Sequence, residues 1–119
     1  FTYISEGNYS QAEPLFHGNP EELSAFLDLG ENESVELNWE EICRILWCIP
    51  VAQITDVEKV SEDELVFYTV FVYENTRRFE IGACCGADPA SNLPVWQFAF
   101  PVSRVDGEWK VMRLPLYTP

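Results

Sequence analysis

The stretch Leu65-Val66-Phe67-Tyr68-Thr69-Val70-Phe71-Val72-Tyr73 constrains this chain more than any other. β-Branched and aromatic side chains fill both of its alternating faces. As a strand it belongs in the middle of a sheet, covered on both sides. Turn-formers bracket it, Ser61-Glu62-Asp63-Glu64 before and Glu74-Asn75-Thr76 after. Val51 to Val60 alternates well enough for a preceding strand. Arg77 to Ala83 reads as a third, with Phe79 and Ile81 on one face. Val95 to Arg104 reads as a fourth, with Trp96, Phe98, Phe100 and Val102 along one side. Asp106-Gly107 is a strong hairpin signal. Trp109 to Leu116 closes the sheet, with Pro115 limiting it to an edge or a strand end.

Ahead of Pro50 the period changes from strand-like to helical. Phe1 to Ser5 has an apolar face and runs into the break Glu6-Gly7-Asn8. Tyr9 to Phe16 reads as a short helix capped by Ser10, and Pro14 shortens or distorts it. Asn19 and Pro20 form a good start for a second helix, with Leu23, Phe26 and Leu27 at helical spacing and Gly30 as its stop. Asn38 caps a third. Trp39, Ile42, Cys43, Leu46 and Trp47 line one side of it, Glu40 and Glu41 suit its first turn, and Pro50 prevents extension. The expected architecture is α+β, one domain over residues 1–119. N-terminal helices precede an antiparallel sheet of four to five strands.

With 119 residues the chain buries roughly two-thirds of its unfolded surface, enough for a real core. Its formal charge is −13, from 20 acidic and 7 basic residues. That field repels phosphate backbones, so nucleic acid is an unfavourable partner, and an anionic membrane is disfavoured for the same reason. No apolar run reaches the ~18 residues of a transmembrane helix. The acidic residues match no calcium loop. The sequence starts at Phe1 rather than Met, which reads as a fragment or processed form with room for a signal peptide or lipid anchor upstream.

Cys43, Cys48, Cys84 and Cys85 permit three pairings, and their even number fits an oxidising compartment. On one continuous helix Cys43 and Cys48 would point about 140° apart. They can bridge only if the helix ends before Cys48. A long-range bridge from the helix to the Cys84-Cys85 turn has the better loop-closure logic, and four reduced, buried thiols are the alternative. A vicinal Cys84–Cys85 bridge is strained. Zinc is disfavoured, since the sole histidine is His17 and the spacings are wrong. His17 follows a short helix, where an ordinary cationic role suffices. No metal, cofactor or catalytic residue is assigned.

The opening Phe1-Thr2-Tyr3-Ile4-Ser5-Glu6-Gly7-Asn8-Tyr9-Ser10-Gln11-Ala12 and the ending Val105-Asp106-Gly107-Glu108-Trp109-Lys110-Val111 resemble those of nuclear transport factor 2-like (cystatin-like α+β) domains. The resemblance implies a curved antiparallel sheet wrapped around helices, a cone with a pocket. It also brings secreted or lipid-anchored bacterial relatives, often without known activity, and sheet-to-sheet homodimers. The loop Cys84 to Pro94 departs from the pattern. Enzymatic relatives place an Asp, Tyr or His toward the pocket, and no residue here matches by motif.

The expected function is a non-enzymatic ligand-binding or protein-interaction domain at the cell surface or outside the cell. Tyr68, Trp96, Phe98 and Trp109 are candidate pocket residues, and the second apolar face of the central strand is a candidate homodimer surface. The alternatives are a pocket enzyme of the ketosteroid isomerase or polyketide cyclase kind and an acidic inhibitor or immunity protein for a basic partner.

Overall fold

The computed structural model describes residues 1–19, 39–46, 48–82 and 93–114. It contains α1 (Thr2–Ser5), α2 (Tyr9–Ala12), a 3₁₀ turn (Glu13–Leu15), α3 (Trp39–Leu46) and strands β1 (Val51–Lys59), β2 (Glu64–Phe71), β3 (Gln97–Val105) and β4 (Glu108–Val111). The strands form one sheet in the order β1-β2-β3-β4, with every neighbouring pair antiparallel. The chain is therefore an α+β fold with short helices ahead of a four-stranded sheet. The expected second helix on Leu23, Phe26 and Leu27, the loop Cys84–Pro94 as far as residue 92, and the chain beyond Leu114 lie outside the described residues.

Local chemistry accounts for the turns. Gly7 takes the left-handed conformation, φ 75°, that the Glu6-Gly7-Asn8 break requires. Asp106 and Gly107 are both left-handed, φ 52° and 84°, which matches the twist of the β3–β4 hairpin. Asn8, not Ser10, occupies the N-cap of α2, so Ser10 falls inside the helix. Pro14 lies in the 3₁₀ turn, so the expected helix to Phe16 ends at Ala12.

The stretch Arg77–Ala83 is not a strand over its described residues. It makes only isolated bridges, Val72 with Arg78 and Ile81 with Val95. β2 pairs with β1 from Leu65 to Phe71 and with β3 from Glu64 to Val70. Both edges of β2 are thus taken along its length, and only its last residues remain for the stretch that follows. The final strand is also shorter than expected. β4 stops at Val111, and Leu114 turns inward to 0% exposure beside Trp39 and Ile42.

Strand register sorts the sheet's side chains. Phe67 faces Phe100, Thr69 faces Phe98, and Leu65 faces Val102, which in turn faces Val111. These residues share one face with Phe71, and its row leads into a buried cluster of Ile49, Phe71, Phe79 and Phe100. Tyr68, aligned with Ala99 and Asp56, lies on the opposite face. β1 carries register shifts between Val51 and Gln53 and between Ile54 and Asp56. At the second, Thr55 Oγ1 donates to the Tyr68 carbonyl at 3.1 Å and accepts from Gln97 Nε2 at 2.7 Å, so the irregularity keeps polar partners.

A second buried cluster gathers Ile4, Ala12, Trp39, Ile42 and Leu114. Phe1 belongs to the margin of both, its ring edge-on to Phe71 at 5.2 Å and to Phe100 at 4.6 Å. The Cys43–Cys48 disulfide borders the second cluster. This corrects the preference for a bridge to Cys84-Cys85 and the alternative of reduced thiols at Cys43 and Cys48. α3 ends at Leu46, so the helical rotation that separates the two side chains does not apply, and their Cα atoms lie 4.9 Å apart. Cys84 and Cys85 lie outside the described residues.

Candidate functional site

The structure disperses the four aromatic side chains singled out by sequence. Phe98 packs against Phe71 and Phe79 in the core, at 5.8 and 5.6 Å. Trp109 shares its face of the sheet, under the Arg104 guanidinium at 4.9 Å. Trp96 precedes β3 and is covered by the Arg78 guanidinium at 4.6 Å. Tyr68 stands on the other face, where its hydroxyl donates to Glu58 Oε2 at 2.9 Å.

That last contact perturbs a titration. The hydrogen bond to Glu58, and then the charge of the same carboxylate, raise the Tyr68 phenol above its usual 10.0; desolvation and Asp56 act in the same direction. The neutral phenol is the form the pair favours. Its stabilising contribution is present below the ordinary tyrosine range and is lost as pH rises through the raised folded value. In an ultraviolet pH titration, one of the five tyrosines should ionise late, and Glu58→Gln should move that one earlier. An unchanged curve in the variant would remove the pair.

An apolar concavity lies elsewhere among the described residues. It has a volume of about 90 Å³ and is lined by Phe1, Tyr3, Ile4, Ala12, Leu15, Phe16, Trp39, Val111 and Arg113. Every part of the local fold contributes. α1 supplies Tyr3 and Ile4, α2 supplies Ala12, the 3₁₀ turn supplies Leu15, α3 supplies Trp39, and β4 supplies Val111. Phe16 bridges to Val111, and His17 N donates to the Val111 carbonyl at 2.9 Å, which fastens the turn to β4. The exposed His17 thus contributes its backbone here. Phe16 meets the Trp39 ring edge-on at 5.1 Å. Gly18 leaves room for the Phe16 ring, because a Cβ there would come within 2.5 Å of it.

Ile4, Ala12 and Trp39 are buried and form the floor, whereas Tyr3, Leu15 and Arg113 are exposed and form the mouth. Trp39 Nε1 is buried without a hydrogen-bond partner. A buried donor left unpaired costs about 1–3 kcal/mol. The cavity therefore joins an apolar floor and one cation, Arg113.

Two other concavities are more polar. One, beside the disulfide, is lined by Ile4, Ser5, Tyr9, Glu40, Cys43, Arg44 and Cys48. The other is lined by Tyr73, Arg77, Arg78 and Glu80. Among the described residues no group of three His, Cys, Asp or Glu side chains is placed to hold a metal ion, and no helix is long and apolar enough to cross a membrane.

Sequence reading passed over the cavity because its lining is scattered from Phe1 to Arg113. The one available signal was Arg113, a cation between Met112 and Leu114 in a strongly acidic chain. Comparison with protein-family models, with curated proteins and with solved structures finds no match for this chain.

Proposed function

We propose that this chain is a non-enzymatic ligand-binding domain acting outside the cytoplasm, and that its ligand is a small, largely apolar molecule held in the Trp39 cavity. The observation that carries this reading is the cavity itself, an apolar floor of Ile4, Ala12 and Trp39 with Arg113 in its lining. A cone-shaped sheet of the nuclear transport factor 2-like kind suits the element order and the Phe1 contacts with Phe71 and Phe100. The Cys43–Cys48 disulfide supports an oxidising compartment. A pocket enzyme needs an acid–base group in its cavity; among the described residues, the titratable side chains lining this one are Tyr3 and Arg113, both exposed.

The test is calorimetric titration with isoamyl alcohol, whose branched tail suits the cavity. One saturable site is expected. Ala12→Met fills the floor and should abolish binding, with the fold checked by circular dichroism, and Tyr68→Phe on the far side of the sheet should bind normally. Equal binding by the Ala12→Met variant contradicts the assignment.

A second reading concerns the β1 side. Ile54, Val57 and Val60 are exposed there at 52%, 46% and 56%. Ile54 and Val57 lie on the Phe67 face of this edge strand and Asp56 and Glu58 on the Tyr68 face, and Glu62, Asp63 and Glu64 follow at the hairpin. This combination suits a basic, partly apolar protein partner better than a second copy carrying the same −13 charge. Light scattering at high concentration decides between the two, because a homodimer through the sheet requires a dimeric mass.

A further inference from the structure

Resting on that reading of the cavity, we infer that its ligand is a carboxylate carried on a short aliphatic group, with the carboxylate at Arg113 and the aliphatic part on the Ile4, Ala12 and Trp39 floor.

Size comes first. An apolar cavity of ~150 Å³ accepts benzene, so about 90 Å³ admits a short branched or linear chain rather than a ring system. Charge decides the head group. The chain has 20 acidic residues for 7 basic ones, and a cation in such a sequence has carboxylates in excess to pair with. Lys59, Arg78, Arg104 and Lys110 do so, with Glu62, Glu80, Asp63 and Glu108. Arg113, like Arg77, makes no ion pair among the described residues, and among the described residues lining the cavity it is the one with a charged side chain. A guanidinium at the mouth of an apolar cleft presents a planar fork that matches a carboxylate through two parallel hydrogen bonds. The net charge of −13 opposes an anion at long range. Mobile ions screen that field within a Debye length of ~8 Å at physiological salt, so the nearest cation governs the final contact. Tyr3 and Leu15 complete the mouth and let the apolar part pass inward.

The experiment titrates the full chain with isovalerate and with isovaleramide, which keeps the shape and the carbonyl acceptor but lacks the charge. Isovalerate should bind roughly tenfold tighter, the size of one charge-assisted hydrogen bond. Arg113→Gln should weaken the acid about tenfold and the amide far less, so that the two then bind about equally. Arg113 is exposed, so this variant keeps the fold. Equal affinities in the parent chain, or an Arg113→Gln variant that weakens both ligands alike, overturns the carboxylate assignment. Where isoamyl alcohol binds but the acid shows no preference, the carboxylate inference alone fails. Where neither the alcohol, the acid nor the amide binds, the cavity reading fails with it.

Discussion

Phe71→Ala should lower the stability of the protein by about 3–5 kcal/mol, measured by denaturant unfolding. Phe71 is the last residue of β2 and is 0% exposed. Its ring meets Phe1 edge-on at 5.2 Å, and Phe98 and Phe100 at 5.8 Å each. Its carbonyl accepts from Phe79 N at 2.9 Å, and Val51 is its partner in β1. Truncation would open a cavity walled by rings on paired strands, which have little freedom to collapse into it. A domain of this kind is stable by only ~5–15 kcal/mol, so the loss is a large share of the total. Phe71→Leu keeps most of the apolar volume and should lose no more than about 2 kcal/mol. Val60→Ala, at a side chain 56% exposed, should change stability by less than ~0.5 kcal/mol. A Phe71→Ala variant as stable as Val60→Ala would mean that the two strand faces are assigned the wrong way round.

The second large effect concerns the disulfide. Replacing Cys43 and Cys48 by serine should lower stability by about 2 kcal/mol, the chain-entropy value for a closed loop this short. The bridge joins α3 to the segment leading into β1, across a sequence separation of 5. Cys43 Sγ lies 3.8 Å from the Ile4 carbonyl, and both cysteines border the cluster of Ile4, Ala12, Trp39 and Ile42. Freed from it, the end of α3 can fray, and α3 carries the cavity's Trp39. The double-serine variant should therefore also bind isoamyl alcohol more weakly. Peptide mapping without reductant should recover the Cys43 and Cys48 peptides linked together. Stability unchanged by the double substitution, or a Cys43 peptide linked elsewhere, contradicts this pairing.

Much of the framework was legible because its signals are local. The Leu65–Tyr73 run announced a central strand by filling both alternating faces, and β2 indeed pairs on both edges. Asp106-Gly107, Gly7 and Pro50 mark breaks that depend on one residue's backbone freedom or its missing donor; the chain turns at the first two, and Pro50 lies between the end of α3 and the start of β1. What escaped was non-local. Phe79 and Ile81 have strand spacing, yet spacing cannot reveal that both edges of β2 are already occupied. The rotation between Cys43 and Cys48 holds for an unbroken helix, and the bridge depends on α3 ending at Leu46. Tyr68, Trp96, Phe98 and Trp109 were grouped by chemistry, but alternation puts Tyr68 and Phe98 on opposite faces. The cavity's own residues come from both ends of the chain, and only packing unites them.

The Trp39 indole N–H offers the most direct test of the binding assignment. A proton–nitrogen correlation spectrum shows one indole signal for each of the chain's four tryptophans, and Trp39→Phe identifies which is its own. On titration with isovalerate, the Trp39 signal should shift along the same saturation curve as the calorimetric heat, while those of Trp96 and Trp109 stay in place. A Trp39 signal that remains fixed while the ligand binds would place the ligand elsewhere and contradict the account.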